Sequence, residues 1–213
     1  MSFGYLGDTS TKIKQVKKND GVISISENYE LEKLGHLGGS LELIASTTVS
    51  SNTTIDFTSI KETEYNVHFL TYSNMTMTAA AGNQIPFYRL SNDGGSSFES
   101  GTDYLSTAQF STTGGTHVKL ALVNTYGHLC GNQQSSHFWD GYAYFYNLGD
   151  SAKYSYATIH ARCVYSADST VSTTYGGSVY AVKETINAIR LGVDTTTLSG
   201  GTAKLYGMKQ WVI

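Results

Sequence analysis

From Leu41 onward, apolar and polar side chains alternate in short runs, and each run ends in Gly, Asn, Asp, Ser or Thr. A period of two is the mark of a half-buried strand, because successive side chains point to opposite sheet faces. LELIAST opens the series, and TTIDFTSI follows with Ile55 and Phe57 on one face. In TEYNVHFLTY, Tyr65, Val67 and Phe69 face one way and Asn66 and His68 the other. QIPFYRLSN places Pro86 at a strand start or a sheet edge, since proline has no amide to donate. TDYLSTAQF, HVKLALVNTY and HFWDGYAYFYNL continue the pattern. KYSYATIHARCVY sets Tyr154, Tyr156, Thr158 and His160 against Ser155, Ala157, Ile159, Ala161 and Cys163. GSVYAVKE, INAIRLGV and TAKLYGMKQWVI complete the chain. About ten or eleven strands at such short spacing predict an all-β chain, an antiparallel sandwich or barrel.

The turns agree with this reading. NDGG at 92–95 is a strong hairpin signal, because Asp-Gly and Gly-Gly accept positive φ. TTGGT at 112–116, YGGS at 175–178 and SGGT at 199–202 read the same way. Residues 91–98, SNDGGSSF, also resemble the Asp-box of sialidases and other β proteins, with Ser91, Asp93, Gly95, Ser97 and Phe98 in its positions. That resemblance implies a carboxylate capping turn amides above a packed aromatic ring. A single copy points to a stable turn, not to sialidase activity.

Residues 1–40 are different in kind. Lys12, Lys14, Lys17 and Lys18 form a cluster, and with Lys33 they hold five of the fourteen basic side chains. Ser26, ENYELEKL and Gly35 predict one short helix with a hydroxyl cap, acidic residues in its first turn and a glycine stop. HLGGS then closes the segment as a flexible joint. Residues 1–40 are therefore expected to be an arm, and 41–213 the sandwich domain.

Composition narrows the function classes. The chain has 213 residues, 22 of them glycine and 16 tyrosine, with one proline. Charged residues are 15%, against about 25% in an ordinary domain. The net charge of −3 lacks the basic footprint of a nucleic-acid binder. No apolar run is long enough to span a membrane as a helix. The opening MSFGYLGDTS has no basic region followed by an apolar one, so synthesis in the cytosol is expected. Cys130 and Cys163 are too few for a disulfide framework.

Catalytic chemistry finds little support. Among the six histidines the tightest group is His128, Cys130 and His137. Its spacing matches no zinc-ligand pattern, and GHLCGNQQSSH reads as a loop joining two strands. No GxSxG elbow or phosphate-cradling loop occurs. Asp103, Asp140 and Asp168 could supply a glycosidase pair only if the fold brought two of them together. No cofactor, metal or catalytic residue is expected. WDGYAYFYN has the aromatic, amide and carboxylate side chains that suit a glycan, a neighbouring sheet or a subunit contact. Trp139, Asp140, Tyr142, Tyr144 and Tyr146 are its candidate residues. Tyr142, Tyr144 and Tyr146 share a face, opposite Ala143 and a core Phe145.

The ending of the chain resembles that of small structural proteins of tailed bacteriophages. Ile186, Asn187, Ile189, Arg190 and Leu191 match one strand of the pattern. Thr202, Lys204, Leu205, Tyr206, Gly207, Met208 and Lys209 match the next. SNDGGSSFESGTDY and the lead-in LGGSLELI, TIDFTSI and YNVHFL recur in the same order. The terminal QWVI and the basic arm depart from it. The resemblance implies a jelly-roll-like β-sandwich in a virion, partnered by other virion proteins and by copies of itself, with trimers favoured. It implies a tail-apparatus or small-fibre component, with host-surface glycans as candidate contacts and Lys12, Lys14, Lys17 and Lys18 as the particle-attachment cluster. Its alternative is a capsid decoration or head fibre. A polysaccharide-degrading enzyme and a free carbohydrate-binding module fit less well, the first for want of a placed carboxylate pair, the second for want of a secretion signal.

Overall fold

The structure is a computed structural model that describes residues 41–51, 54–78, 83–131, 133–134, 137–164 and 171–209. The expected N-terminal helix and lysine cluster lie outside the described residues. The described chain is all-β, and every strand pair is antiparallel. In chain order the strands are β1 (Leu41–Val49), β2 (Thr54–Phe57), β3 (Val67–Met77), β4 (Asn83–Gln84), β5 (Pro86–Ser91), β6 (Tyr104–Thr112) and β7 (His117–Asn124). Then come β8 (Gly127–His128), β9 (Gln133–Gln134), β10 (Trp139–Tyr146), β11 (Tyr154–Val164), β12 (Val171–Lys183), β13 (Ala188–Val193) and β14 (Leu198–Met208).

Eight strands form the large sheet, in the order β1-β14-β3-β10-β11-β12-β6-β7. Four form a second sheet, β2-β13-β5-β8, and β4 pairs with β9 alone. The two main sheets bury a common core. Tyr88 of β5 places its hydroxyl 2.5 Å from Ser178 Oγ of β12, and its ring meets Phe145 of β10 edge-on at 4.9 Å. The Leu90 amide of β5 donates to the Tyr104 hydroxyl of β6. These tyrosines span the interior with their polar ends satisfied, as a buried phenol requires.

Strand facing follows the alternation. Along β11, Ser155, Ala157, Ile159, Ala161 and Cys163 are buried, and Tyr154, Tyr156, Thr158, His160 and Arg162 are exposed. Along β10, Ala143 and Phe145 enter the core opposite the three tyrosines. Pro86 is the first residue of β5, as expected. In β3 the facing differs ahead of the strand. Tyr65 is buried and Asn66 exposed, whereas within β3 the buried positions are His68, Leu70 and Tyr72. The chain turns between the two sets, so Tyr65 does not share a face with Val67 and Phe69.

Three expectations about turns are corrected. YGGS lies inside β12, where a Cβ at Gly176 would fall 2.4 Å from the Thr107 carbonyl and one at Gly177 would fall 2.5 Å from the Ala157 carbonyl. These glycines permit close approach of β6 and β11, not chain reversal. SGGT lies inside β14, whose register against β3 shifts at Gly200, a bulge with Gly201 at φ +113°. NDGG does not join a hairpin, since β5 and β6 belong to different sheets. TTGGT is a true hairpin turn between β6 and β7. The segment expected as a plain loop holds the short strands β8 and β9.

The SNDGGSSF turn itself is built as its motif implies. Asp93 Oδ1 accepts the Ser97 amide at 2.9 Å, and Oδ2 accepts the Ser97 hydroxyl at 2.6 Å. The Ser91 hydroxyl donates to Asp93 and accepts the Gly95 amide. These bonds pull the Asp93 carboxyl down to about 2. Asn187 locks the turn to β13, accepting the Gly94 amide at 2.7 Å and donating to the Asn92 carbonyl. Arg190 covers the Phe98 ring at 3.9 Å and forks onto Asp56 with two 2.7 Å bonds. The INAIRL and SNDGGSSF segments, far apart in the chain, thus form one structural unit in the small sheet.

Candidate functional site

The outward face of the large sheet carries the most unusual surface of the described residues. A soluble sheet usually meets water with charged and small polar side chains. Here β10 presents Tyr142, Tyr144 and Tyr146, and the register sets aromatic partners beside them. Tyr144 lies between Phe69 of β3 and Thr158 of β11, and Phe69 in turn lies opposite Tyr206 of β14. Phe69 and Tyr144 stack at 4.6 Å, with Tyr206 6.1 Å and Tyr142 5.8 Å from the same ring. Tyr144 and Tyr146 stack at 6.4 Å. Tyr156 and Tyr175 extend the aromatic face onto β11 and β12.

At one end of this cluster is a cleft of about 220 Å³, lined by Asp140, Gly141, Tyr142, His160, Ala161 and Arg162. Two adjacent cross-strand pairs form its sides. Tyr142 stands opposite His160, and Asp140 opposite Arg162, with Gly141 and Ala161 between them. The Tyr142 and His160 rings are perpendicular at 5.5 Å, and His160 Nδ1 lies 3.3 Å from the Tyr142 hydroxyl. Asp140 is held from the other side. Its Oδ1 accepts the Asn74 amide at 2.5 Å, where a β3 bulge puts Asn74 at φ +52°.

Trp139 does not belong to this surface, which corrects its place among the contact candidates. It is 0% exposed, packed 5.1 Å from Tyr72 in the core. Its position has the parity of Ala143 and Phe145, so the alternation that assigned the tyrosines already assigned Trp139 to the opposite face. Phe69, Tyr206, His160 and Arg162 were not among the candidates. Alternation along β3 and β11 carried their facing, but the register that brings four strands side by side has no local signal.

Of the histidine and cysteine cluster, His128 and Cys130 are buried and His137 is half-buried. His128 is buried with Nε2 unpartnered, and burial lowers its pKa to about 4, keeping the ring neutral. Cys130 is buried beside Cys163, its thiol pushed up by burial, and neither is in a disulfide. Among the described residues no group of three or more His, Cys, Asp or Glu side chains could hold a metal ion. Asp103 precedes β6 and Asp140 lies in β10, strands separated by β11 and β12, while Asp168 lies outside the described residues.

The two ends of the large sheet are a second exposed feature. β1 and β7 have no further strand on their outer sides among the described residues. Leu43 of β1 is 53% exposed and Val123 of β7 64%, with Leu41, Leu105 and Leu122 exposed beside them. No position of β7 is buried. No helix of the described residues is long and apolar enough to cross a membrane. Comparisons with protein-family models, curated proteins and solved structures gave no match.

Proposed function

We propose that this chain is a structural protein of a tailed-phage virion, most simply a tail-apparatus or small-fibre component that assembles with copies of itself. The observation that carries the reading is the pair of apolar sheet ends. A free edge with exposed leucines is a liability that soluble monomers blunt with charge or cover. Leu41 and Leu43 at one end, and Leu105, Leu122 and Val123 at the other, are different surfaces, so contact between them is head-to-tail. Head-to-tail contacts close into a ring where the rotation between copies allows it, and a trimer is the smallest such ring. The pairing of β1 with β14 in one sheet and β2 with β13 in the other supports a jelly-roll-like winding. Lys12, Lys14, Lys17 and Lys18 are the proposed attachment to an acidic particle surface.

Immunogold labelling of parent particles with antibody against residues 41–213 tests location. Gold along the tail is the expected result. Gold over the head replaces the tail reading with that of a capsid decoration, and unlabelled particles overturn both. Sedimentation of the full chain tests assembly: a trimer that dissociates on Val123→Lys is expected, and a wild-type monomer removes the support from the sheet ends.

A further inference from the structure

We infer that the cleft between Asp140, Tyr142, His160 and Arg162 is a binding site for a single pyranose unit of a saccharide. The inference rests on the virion reading only for where the sugar comes from. Its chemistry comes from the four side chains. Saccharide recognition needs a flat apolar surface for the ring C–H face and polar groups that both give and take hydrogen bonds at its rim. The cleft brings residues of both kinds together. Gly141, Ala161 and Tyr142 lie in its lining beside Asp140, His160 and Arg162. Binding sites of this kind are mostly apolar, with a few convergent polar groups that fix orientation.

The rim groups have capacity to spare. Arg162 stands opposite Asp140, yet it is in no ion pair among the described residues, so its guanidinium donors remain available. Asp140 uses Oδ1 on the Asn74 amide, which orients the carboxylate and leaves Oδ2 to accept a hydroxyl proton. His160 faces Tyr142 through Nδ1, and its Nε2 is the ring nitrogen not used in that contact. A carboxylate and a guanidinium side by side suit a pair of vicinal hydroxyls, one donating and one accepting. They suit a simple anion poorly, since Asp140 repels it. A second copy of the chain is also a weaker occupant here. The exposed aliphatic side chains lie at the sheet ends, and this site is a cleft with charged residues among its lining. Tyr144, 5.9 Å from the Tyr142 ring, and Tyr146, 6.4 Å from Tyr144, offer further platforms along the strand if the sugar belongs to a chain.

Saturation-transfer NMR on the full-length protein tests this, with methyl glycosides of glucose, galactose, mannose and N-acetylglucosamine as probes. Transfer to the ring protons of at least one probe is expected. Affinity for that probe should fall about tenfold or more in Arg162→Ala, from loss of hydrogen bonds to a charged group. Tyr142→Phe, which keeps the ring, should bind, and Tyr142→Ala should not. Tyr154→Ala, at the far end of β11, should bind like wild type. Melting curves on each variant separate loss of site from loss of fold, and a variant that unfolds is replaced by Arg162→Gln or Tyr142→Ser. Absence of transfer to every probe overturns the inference, as does binding indifferent to Arg162. Tyr142 signals that respond to protein concentration but not to sugar also overturn it and assign the cleft to a subunit contact. Any of these leaves the immunogold result, and the virion reading, standing.

Discussion

The two faces of the large sheet use the same residue types to opposite ends. On the inner face, Tyr72, Tyr104 and Phe145 fill the space between sheets together with Tyr88 of the small sheet, and the phenols reach across it. Tyr72 donates to the Leu129 carbonyl at 2.8 Å, Tyr88 pairs with Ser178, and Tyr104 takes the Leu90 amide. On the outer face, Phe69, Tyr142, Tyr144, Tyr146 and Tyr206 lean on one another. An aromatic-rich composition therefore says nothing about where stability ends and recognition begins. Neighbours decide that: an inner ring has the opposite sheet as its partner, and an outer ring has only its neighbours on the same face.

Substitutions should separate the faces cleanly. The largest effect is expected in the core, where Phe145→Ala and Leu205→Ser should each cost about 3 kcal/mol or more, from cavity formation or an unsatisfied buried hydroxyl. Chemical denaturation reads this directly, and a wild-type midpoint for either variant would mean that the two sheets do not pack as described. Next is acid. The buried His128 ring has its pKa lowered to about 4 from an ordinary value of 6.5. The unfolded chain then binds the extra proton first. Its contribution is present above about pH 6.5 and is lost as pH falls toward 4, by up to about 3 kcal/mol. Burial lowers His68 in the same direction. A His128→Gln variant should melt with a shallower pH dependence across that window.

Below these comes Tyr104→Phe. It leaves the Leu90 amide buried without its acceptor and should cost about 1–3 kcal/mol, measured as a denaturation midpoint. The SNDGGSSF turn gives a smaller and more local effect. The Asp93 carboxyl is held near 2 against an ordinary 3.8, so its bonds persist above about pH 4 and fail as pH drops through 2. Hydrogen exchange of the Ser97 and Gly95 amides should rise over that range in wild type and be high throughout in Asp93→Ala. The smallest change in stability is expected outside. Tyr146→Ser should shift it by less than about 1 kcal/mol, in line with surface positions generally. A loss comparable to Phe145→Ala would show that the outer rings are themselves covered, as in a subunit interface.

Legibility follows the same division. The facing of β11 is readable residue by residue, because a period of two is a property of consecutive side chains. So is the core role of Phe145, and so is the capping of the Asp93 turn, whose bonds close within seven residues. Trp139 has the parity of Ala143 and Phe145, so its burial is legible in the same way, although it adjoins Asp140 in the chain. The glycine pairs were misread because a local rule, that Gly-Gly favours turns, was applied where the reason for glycine is another strand's carbonyl 2.4 Å from a hypothetical Cβ at Gly176. No window of sequence around Gly176 contains Thr107.

Local order therefore came from the chain alone: all-β character, antiparallel strands, the alternating faces of β10 and β11, the hairpin at 112–116 and the Asp93 turn. Each depends on side chains a few residues apart, where backbone geometry leaves few choices. Register was settled by packing. Phe69 meets Tyr144, Tyr206 joins them, Asn187 grips the distant SNDGG turn, and Arg162 comes to stand opposite Asp140 because sliding any strand by one residue would turn its buried side chains out to water. The candidate cleft exists only at that register, since its two walls come from strands that meet through hydrogen bonds no local pattern encodes.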